Sequence, residues 1–196
     1  MTISIIGAGK MAHAIGTRMI DAKQSITVYD RSAEKAHELA STLGTDVQSA
    51  SLTEKISGDI VIFALPYTAA LEVAQAHAQE LAGKTVVDIS NPVNFQTFEL
   101  LTPKESSAAE EIAKLLPKDA HMIKAFNSTF AQALIDGTTN GTKTEVKIAG
   151  DNAQAKVELT NIIEESGLEV ADVGPLAKAR DLEKTAQENI RKMFAK

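Results

Sequence analysis

Apolar and polar positions along this chain follow two alternating patterns. Short runs rich in β-branched residues are followed by longer segments whose apolar residues recur every three or four positions. A repeated order of strand and then helix predicts parallel strands joined by crossover helices, which is a doubly wound α/β sheet. In the first half of the chain, the predicted strands are 2–7, 25–30, 45–50, 59–65 and 84–90, and the predicted helices are 10–22, 32–43 and 67–81.

The second half continues the alternation after a polar stretch, 96–111, which is predicted to be a surface excursion leading into a short helix that ends near Leu116. Further strands are predicted over 120–126, 143–150 and 167–174, with a helix over 151–166. The tail from 175 to 196 is predicted to be a helix with one apolar face, formed by Leu176, Ala179, Leu182, Ala186, Ile190 and Phe194. We therefore expect a dinucleotide-binding domain over 1–142 and a small C-terminal β-α-β plus helix extension over 143–196, packed on the same sheet.

The turn after the first predicted strand carries the pattern GxGxxA, formed by Gly7, Gly9 and Ala12. In dinucleotide-binding turns, the first glycine allows a tight turn and the second lets the backbone approach a pyrophosphate. The third small residue lets the helix pack on the strand. Phosphate oxygens then meet free N–H groups at the helix N-terminus. Ala8, Lys10 and Met11 complete the turn, and Lys10 is either a phosphate contact or a solvated surface charge.

The second predicted strand ends in an acid, a base and a hydroxyl, Asp30, Arg31 and Ser32, and Asp30 follows Gly7 by about 20 residues, the expected interval. An acid here normally binds the ribose hydroxyls of NAD, whereas an adjacent arginine binds the 2′-phosphate of NADP. An arginine–phosphate hydrogen bond contributes about 1.5–3 kcal/mol. An acid about 4 Å from that phosphate opposes binding by up to ~4 kcal/mol at an effective dielectric of 20. The choice of cofactor therefore depends on the direction in which Asp30 points.

Three later strand ends are predicted to form the reaction face, because ligands of open α/β sheets bind beyond the carboxyl ends of the strands. They are Ala64–Leu65–Pro66–Tyr67, Ser90–Asn91–Pro92 and Ala125–Phe126–Asn127–Ser128. Taken singly, each could be an ordinary turn. Hydride transfer requires no nucleophile, although a carbonyl substrate requires a proton donor. Tyr67 and Lys124 are the candidates, with a packing role for Tyr67 and a solvent-reaching head for Lys124 as alternatives.

Composition excludes several classes of function. The chain has no cysteine, four scattered histidines and a net charge of −6, so we expect no metal site and no nucleic-acid partner. The first residues lack the pattern of a signal peptide, and no apolar run approaches the roughly 20 residues of a membrane helix. We therefore expect a cytoplasmic protein without a membrane partner.

The motifs IGAGKMA, FALPY, DISNPVNF, KAFNS, KIAGDNAQAK and ESGLEVADVGPLAKARDLE occur here in a characteristic order. Together they resemble the NADP oxidoreductases that depend on the deazaflavin coenzyme F-420, and they are also similar to the cytosolic domain of the six-transmembrane metalloreductases. The resemblance implies a Rossmann-type domain, commonly dimeric, that passes hydride between a nicotinamide and a flavin-like ring. By that analogy Leu65, Pro66, Asn91, Pro92, Ala125 and Asn127 line the nicotinamide side, and residues 125–131 border the second ring.

The resemblance, with Arg31 and Ser32, favours NADP(H), and NAD(H) stays possible because the family more often has a small polar residue at the position of Asp30. The predicted function is hydride transfer between NAD(P)H and a flavin or deazaflavin as a small-molecule acceptor. Two alternatives remain open. One is a non-catalytic NADP(H)-sensing module, and the other is a hydroxy-acid or imine dehydrogenase completed by a partner chain.

Overall fold

The computed structural model describes residues 1–194, which form an α/β fold of helices packed on both faces of a central sheet. Its strands are β1 (Thr2–Ile6), β2 (Ser25–Asp30), β3 (Gln48–Ser51), β4 (Ile60–Phe63), β5 (Thr85–Asp88), β6 (His121–Lys124), β7 (Thr138–Thr139), β8 (Thr142–Lys143), β9 (Glu145–Gly150) and β10 (Glu169–Asp172). Its α-helices are α1 (Lys10–Asp21), α2 (Ala33–Leu43), α3 (Tyr67–Ala76), α4 (Ala108–Ala113), α5 (Ala131–Asp136), α6 (Ala153–Glu165) and α7 (Ala179–Phe194).

Eight strands form the main sheet in the order β10-β9-β6-β5-β4-β1-β2-β3. The strands from β3 to β6 are all parallel, and the order reverses between β1 and β4. This is the doubly wound Rossmann-type arrangement, so the predicted fold class is confirmed. A crevice at the carboxyl ends of β1 and β4 is the place where such sheets bind nucleotides.

One junction of the sheet is antiparallel, which the expected run of parallel strands did not include. Strand β9 runs antiparallel to β6, and β10 is parallel to β9. The connection from β6 contains only the short helix α5 and the β7–β8 hairpin, and Thr144 donates from Oγ1 to the carbonyl of Ala133 in α5 at 3.0 Å. The chain therefore enters β9 from the edge where β6 ends, and this extends the same sheet.

Two apolar layers cover the sheet. Helices α1, α2, α5 and α6 pack on one face around Ile5 and Ile62, and helices α3, α4 and the start of α7 pack on the other around Ile6 and Phe63. Successive strand residues point to opposite faces, so neighbours such as Ile5 and Ile6 enter different layers. All four residues of β4 are buried, as the continuous apolar run predicted.

Several element boundaries differ from the sequence predictions. The predicted helix 67–81 is divided into α3 and a separate 3-10 turn, Ala78–Leu81, and the predicted strand 45–50 begins only at Gln48. On the predicted tail helix, Leu176, Ala179, Leu182 and Ala186 are buried, whereas Phe194 is 63% exposed. The last two residues of that prediction, 195–196, lie outside the described residues. Among residues 1–194, no helix is long and apolar enough to cross a membrane.

Candidate functional site

The glycine turn joins β1 to α1 in a conformation that requires glycine at its first position. Gly7 has φ +110°, its N–H donates to the carbonyl of Tyr29 at 2.7 Å, and an added Cβ would lie 2.4 Å from the carbonyl oxygen of Ala64. An added Cβ on Gly9, in contrast, would meet no atom within 4 Å. Gly9 is the N-cap of α1 and has no side chain to bind the first helical N–H groups. Those N–H groups have no side-chain acceptor at the N-cap, and Gly9 lines a crevice, so the turn offers them to the phosphate of a ligand.

The other residues of the turn have different surroundings. Ala12 is fully buried against the sheet, as expected of the third small residue of the motif. Met11 is partly buried and packs on the same apolar layer. Lys10 is exposed and borders a groove of about 720 Å³ that lies between α2 and α5 and begins at the same turn.

Asp30 points back toward the glycine turn. Its Oδ2 accepts a hydrogen bond from the Ala8 N–H at 3.1 Å, and its Oδ1 accepts one from the Ser32 N–H at 2.9 Å. Ser32 is the N-cap of α2, and its Oγ accepts from the Lys35 N–H at 3.3 Å. The carboxylate thus ties the glycine turn to the start of α2. Each carboxylate oxygen keeps a further lone pair, because it accepts only one of these bonds.

Two basic side chains border this turn. A crevice of about 330 Å³ lies over the ends of β1, β2 and β4, and Arg31 and Lys35 both line it. The Arg31 side chain is 77% exposed, and its nearest acid is Glu72 at 4.0 Å, in an ion pair too exposed to hold it firmly. Lys35 also borders the wider groove. Lys35 is not among the residues predicted from the sequence, because a lysine in the first turn of a helix has no pattern that distinguishes it from a surface charge.

The strand ends separate into two groups. Ala64, Leu65 and Pro66 line the same crevice as the glycine turn. Asn91 and Asn127 meet each other instead: the Asn91 Nδ2 donates to the carbonyl oxygen of Asn127 at 2.8 Å, and the Asn127 Nδ2 donates to the Asn91 Oδ1 at 3.0 Å. This pair fixes the two loops that follow β5 and β6.

Pro92 and Ala125 lie behind this surface. Pro92 is buried, and Ala125 is fully buried, with its N–H donating to the carbonyl of Asp88 at 3.1 Å. Neither side chain reaches the surface of the site, so any effect of these two residues on a ligand acts through the backbone that they fix. Phe126, between Ala125 and Asn127, has φ +59°, which is unusual for a bulky residue and marks a strained turn at this strand end.

A further pocket, of about 220 Å³, begins at the asparagine pair and lies under α7; we call it the apolar pocket. Residues 128–130 form one wall, and Ala186, Ile190 and Met193 of α7 form another. Phe95 and Phe194 close its outer end in an edge-to-face contact with ring centroids 6.4 Å apart. Within the described range, 1–194, none of the residues that line this pocket has an ionisable side chain. The apolar face predicted for the tail includes Ile190 and Phe194, so part of this wall was visible in the sequence.

Lys124 is completely buried, which contradicts the alternative in which its head reaches water. Its Nζ contacts Asp88 Oδ2 at 2.7 Å, Glu183 Oε1 at 2.7 Å and the carbonyl of Ser90 at 2.6 Å. An ammonium group has three N–H donors, and all three are used here. Lys124 therefore contacts neither the crevice nor the apolar pocket, so it cannot donate a proton to a substrate there.

Tyr67, the other candidate proton donor, is buried at the first turn of α3. Burial raises the pKa of its phenol, and the nearby carboxyl groups of Glu111, Glu183 and Asp88 raise it further. Burial also raises the pKa of Glu183, against the opposing effect of Lys124. Tyr67 is not among the residues lining either the crevice or the apolar pocket.

Comparison with known proteins bears directly on this arrangement. The family described as "NADP oxidoreductase coenzyme F420-dependent" matches residues 2–92, which include β1 to β5 and the glycine turn. The F420-dependent NADP reductase of Methanocaldococcus jannaschii is 29% identical over 164 residues, covering 79% of this chain and 72% of that reductase. The resemblance to the F420-dependent NADP oxidoreductases is confirmed. The residues that line the crevice all lie within the region matched by the family. The alignment with the archaeal reductase is considerably longer than that region.

Two further relatives match most of the chain. The metalloreductase STEAP3 of Rattus norvegicus is 31% identical over 181 residues, which cover 92% of this chain but 35% of that protein. The chain thus spans about a third of the metalloreductase. The crystal structure of a putative F420-dependent NADP reductase from Arthrobacter superposes with a TM-score of 0.87 at 24% identity, covering 98% of this chain and 93% of that one. The structural likeness covers α7 as well as the sheet, so the two proteins share one fold over nearly the whole chain.

Proposed function

We propose that this protein is an NADP(H)-dependent oxidoreductase that transfers hydride between the nicotinamide and the ring of a flavin or deazaflavin. The observation that carries the proposal is the uncharged apolar pocket under α7, which adjoins the strand ends next to the dinucleotide crevice. Carbonyl and imine substrates require a proton donor beside the reacting atom, and none of the described residues that line this pocket has an ionisable side chain. A flat heteroaromatic ring with carbonyl and N–H groups at one edge fits a lining of apolar side chains beside asparagine, serine and threonine, and the nicotinamide cofactor supplies the hydride chemistry.

The residues of the glycine turn fit a dinucleotide. The open space at Gly9 and the uncapped N-terminus of α1 allow a pyrophosphate to approach the backbone closely. Adjacent strands lie about 4.8 Å apart, so Ala64 after β4 and Asn127 after β6 are separated by roughly 10 Å along the sheet edge. In this proposal the dinucleotide extends from the crevice toward the asparagine pair, where Leu65, Pro66 and Asn91 border its nicotinamide end.

We further propose that NADP is preferred over NAD. Asp30 lines the same crevice, but its carboxylate accepts hydrogen bonds from two backbone N–H groups, which offset part of its negative charge and so reduce its repulsion of a 2′-phosphate. Arg31 and Lys35 border the crevice at the same place and carry the positive charge that this phosphate requires. The predicted homodimer and the cytoplasmic location stay predictions.

Arg31→Ala is expected to weaken NADP binding by roughly ten-fold or more, because a charged hydrogen bond to the phosphate is lost. Binding of NAD, which lacks that phosphate, should hardly change. Titration calorimetry with both cofactors measures the difference, and Arg191→Ala, an exposed arginine on α7 outside the crevice, is the matched control. Equal losses for NADP and NAD would show that Arg31 does not bind the phosphate.

Mixing the protein with NADPH and a panel of FMN, FAD and the deazaflavin is expected to give NADPH oxidation above the rate without protein for at least one acceptor. Ile190→Asp places a carboxylate in the uncharged pocket and should reduce this rate strongly without changing NADPH affinity. Val157→Asp, at an exposed valine of α6, is the control and should behave as the wild type. Unequal binding of NADP and NADPH without oxidation by any acceptor would favour the sensing module instead.

A further inference from the structure

The Lys124 ammonium joins three separate parts of the chain close in sequence to residues of the apolar pocket. Asp88 and Ser90 belong to the end of β5 and its loop, Lys124 ends β6, and Glu183 lies in α7. All of these charged groups are at most 1% exposed. The cluster therefore links the sheet to the C-terminal helix through an ion pair that water does not screen.

Each part of this cluster is followed closely by a residue of the pocket. Asn91 comes directly after Ser90, Asn127 lies three residues after Lys124, and Ala186 lies three residues, about one helical turn, after Glu183. The same three elements that the ammonium holds together therefore form the pocket walls. Any loosening of the cluster would change the distance between α7 and the asparagine pair.

The carboxylates of the cluster are also held by backbone groups. Asp88 Oδ1 accepts from the Ser90 N–H at 3.0 Å, and Glu183 Oε2 accepts from the Ala108 N–H at 2.9 Å. Every oxygen of the two carboxylates and every N–H of the ammonium thus has a partner. A fully satisfied buried network of this kind holds its members in one arrangement.

We propose that Lys124, Asp88 and Glu183 are positioning residues for the acceptor, which hold α7 over the strand ends so that the acceptor pocket is formed before the ligand binds. The identity of the ligand rests on the proposed function, whereas the formation of the pocket does not. A second contact, between Arg180 and Glu110, also fixes α7, and the Arg180 Nε donates to the Glu110 Oε2 at 2.7 Å. This contact joins α7 to α4, and neither residue lines the pocket. This second contact provides the comparison that separates positioning from stability.

Glu183→Gln is the decisive variant, because it keeps the shape of the side chain and removes its charge. The KM for the acceptor should rise ten-fold or more, the size expected for loss of a charged hydrogen bond. The dissociation constant for NADPH should change much less, because most of its proposed contacts lie in the crevice and not beside α7. Arg180→Gln should lower the unfolding temperature without changing the acceptor KM. A Glu183→Gln variant that loses stability but keeps the wild-type acceptor KM would overturn the proposal.

Hydrogen exchange gives a readout that does not depend on activity. Backbone amides of residues 90–95 and 127–130 should exchange faster in Glu183→Gln than in Arg180→Gln. If the wild type reduces no acceptor, the proposed function fails, and this exchange comparison alone decides the positioning role. Equal exchange in the two variants would overturn the positioning role. Should Glu183→Gln not fold, Glu183→Asp, which keeps the charge on a shorter side chain, is measured in the same way and with the same criteria.

Discussion

Gly7→Ala is expected to lower the free energy of unfolding by roughly 2–6 kcal/mol, which is a large fraction of the stability of an ordinary protein. The new Cβ would lie 2.4 Å from the carbonyl oxygen of Ala64, and a backbone oxygen at the end of β4 cannot move away without disturbing the sheet. The φ of +110° adds backbone strain for any residue with a Cβ. Chemical denaturation followed by circular dichroism measures the change.

Gly9→Ala is the matched control for this prediction. Nothing lies within 4 Å of its added Cβ, and its φ of −92° is accessible to alanine, so the stability should stay close to that of the wild type. NADPH binding should nevertheless weaken by ten-fold or more, because the methyl group would occupy the place where the pyrophosphate approaches. Loss of stability in Gly9→Ala, or a stable Gly7→Ala, would contradict these separate roles.

The sheet and its crevice could be predicted from the sequence because their signals are local. Each unit of strand, helix and next strand occupies about 30 consecutive residues, so its β-branched runs, its helical spacing and, in the first unit, its glycine pattern can be recognised locally. The antiparallel entry of β9 could not be predicted in this way, because it depends on α5, a helix of six residues that is too short for a clear periodic signal. Its hairpin, β7–β8, has two residues in each strand and gives no alternation to detect.

The direction of Asp30 shows a different limit. The sequence identifies Asp30 and Arg31, but it does not give the direction of the Asp30 side chain. That direction depends on a hydrogen bond from the Ala8 N–H, which lies 22 positions earlier and is brought near only by the parallel pairing of β1 and β2. The apolar pocket likewise depends on contacts between residues that are distant in the sequence. Its walls come from the loops after β5 and β6 and from α7, and no local pattern indicates that they meet.

The burial of Lys124 is the clearest case in which general expectation was wrong. A lysine in a strand usually carries its head to water along a buried stem, because an unpaired buried charge is costly. Here the partners are supplied by residues 36 positions earlier and 59 positions later in the chain. The motif ARDLE contains Glu183 and the motif KAFNS contains Lys124, so the family resemblance includes both partners, but only the fold brings them into contact.

Lys124→Met is therefore expected to destabilise the protein by about 3–5 kcal/mol, because it leaves Asp88 and Glu183 buried without their cation. Methionine keeps most of the apolar stem, so the loss reports the charge rather than a cavity. The double variant Lys124→Met, Glu183→Leu removes one of the stranded carboxylates and should be more stable than Lys124→Met alone, which a double-mutant cycle from urea denaturation measures. Independent, additive losses would mean that the ammonium and Glu183 do not depend on each other. The expected positive coupling would instead show that α7 is held by a buried charge pair whose two halves are needed together.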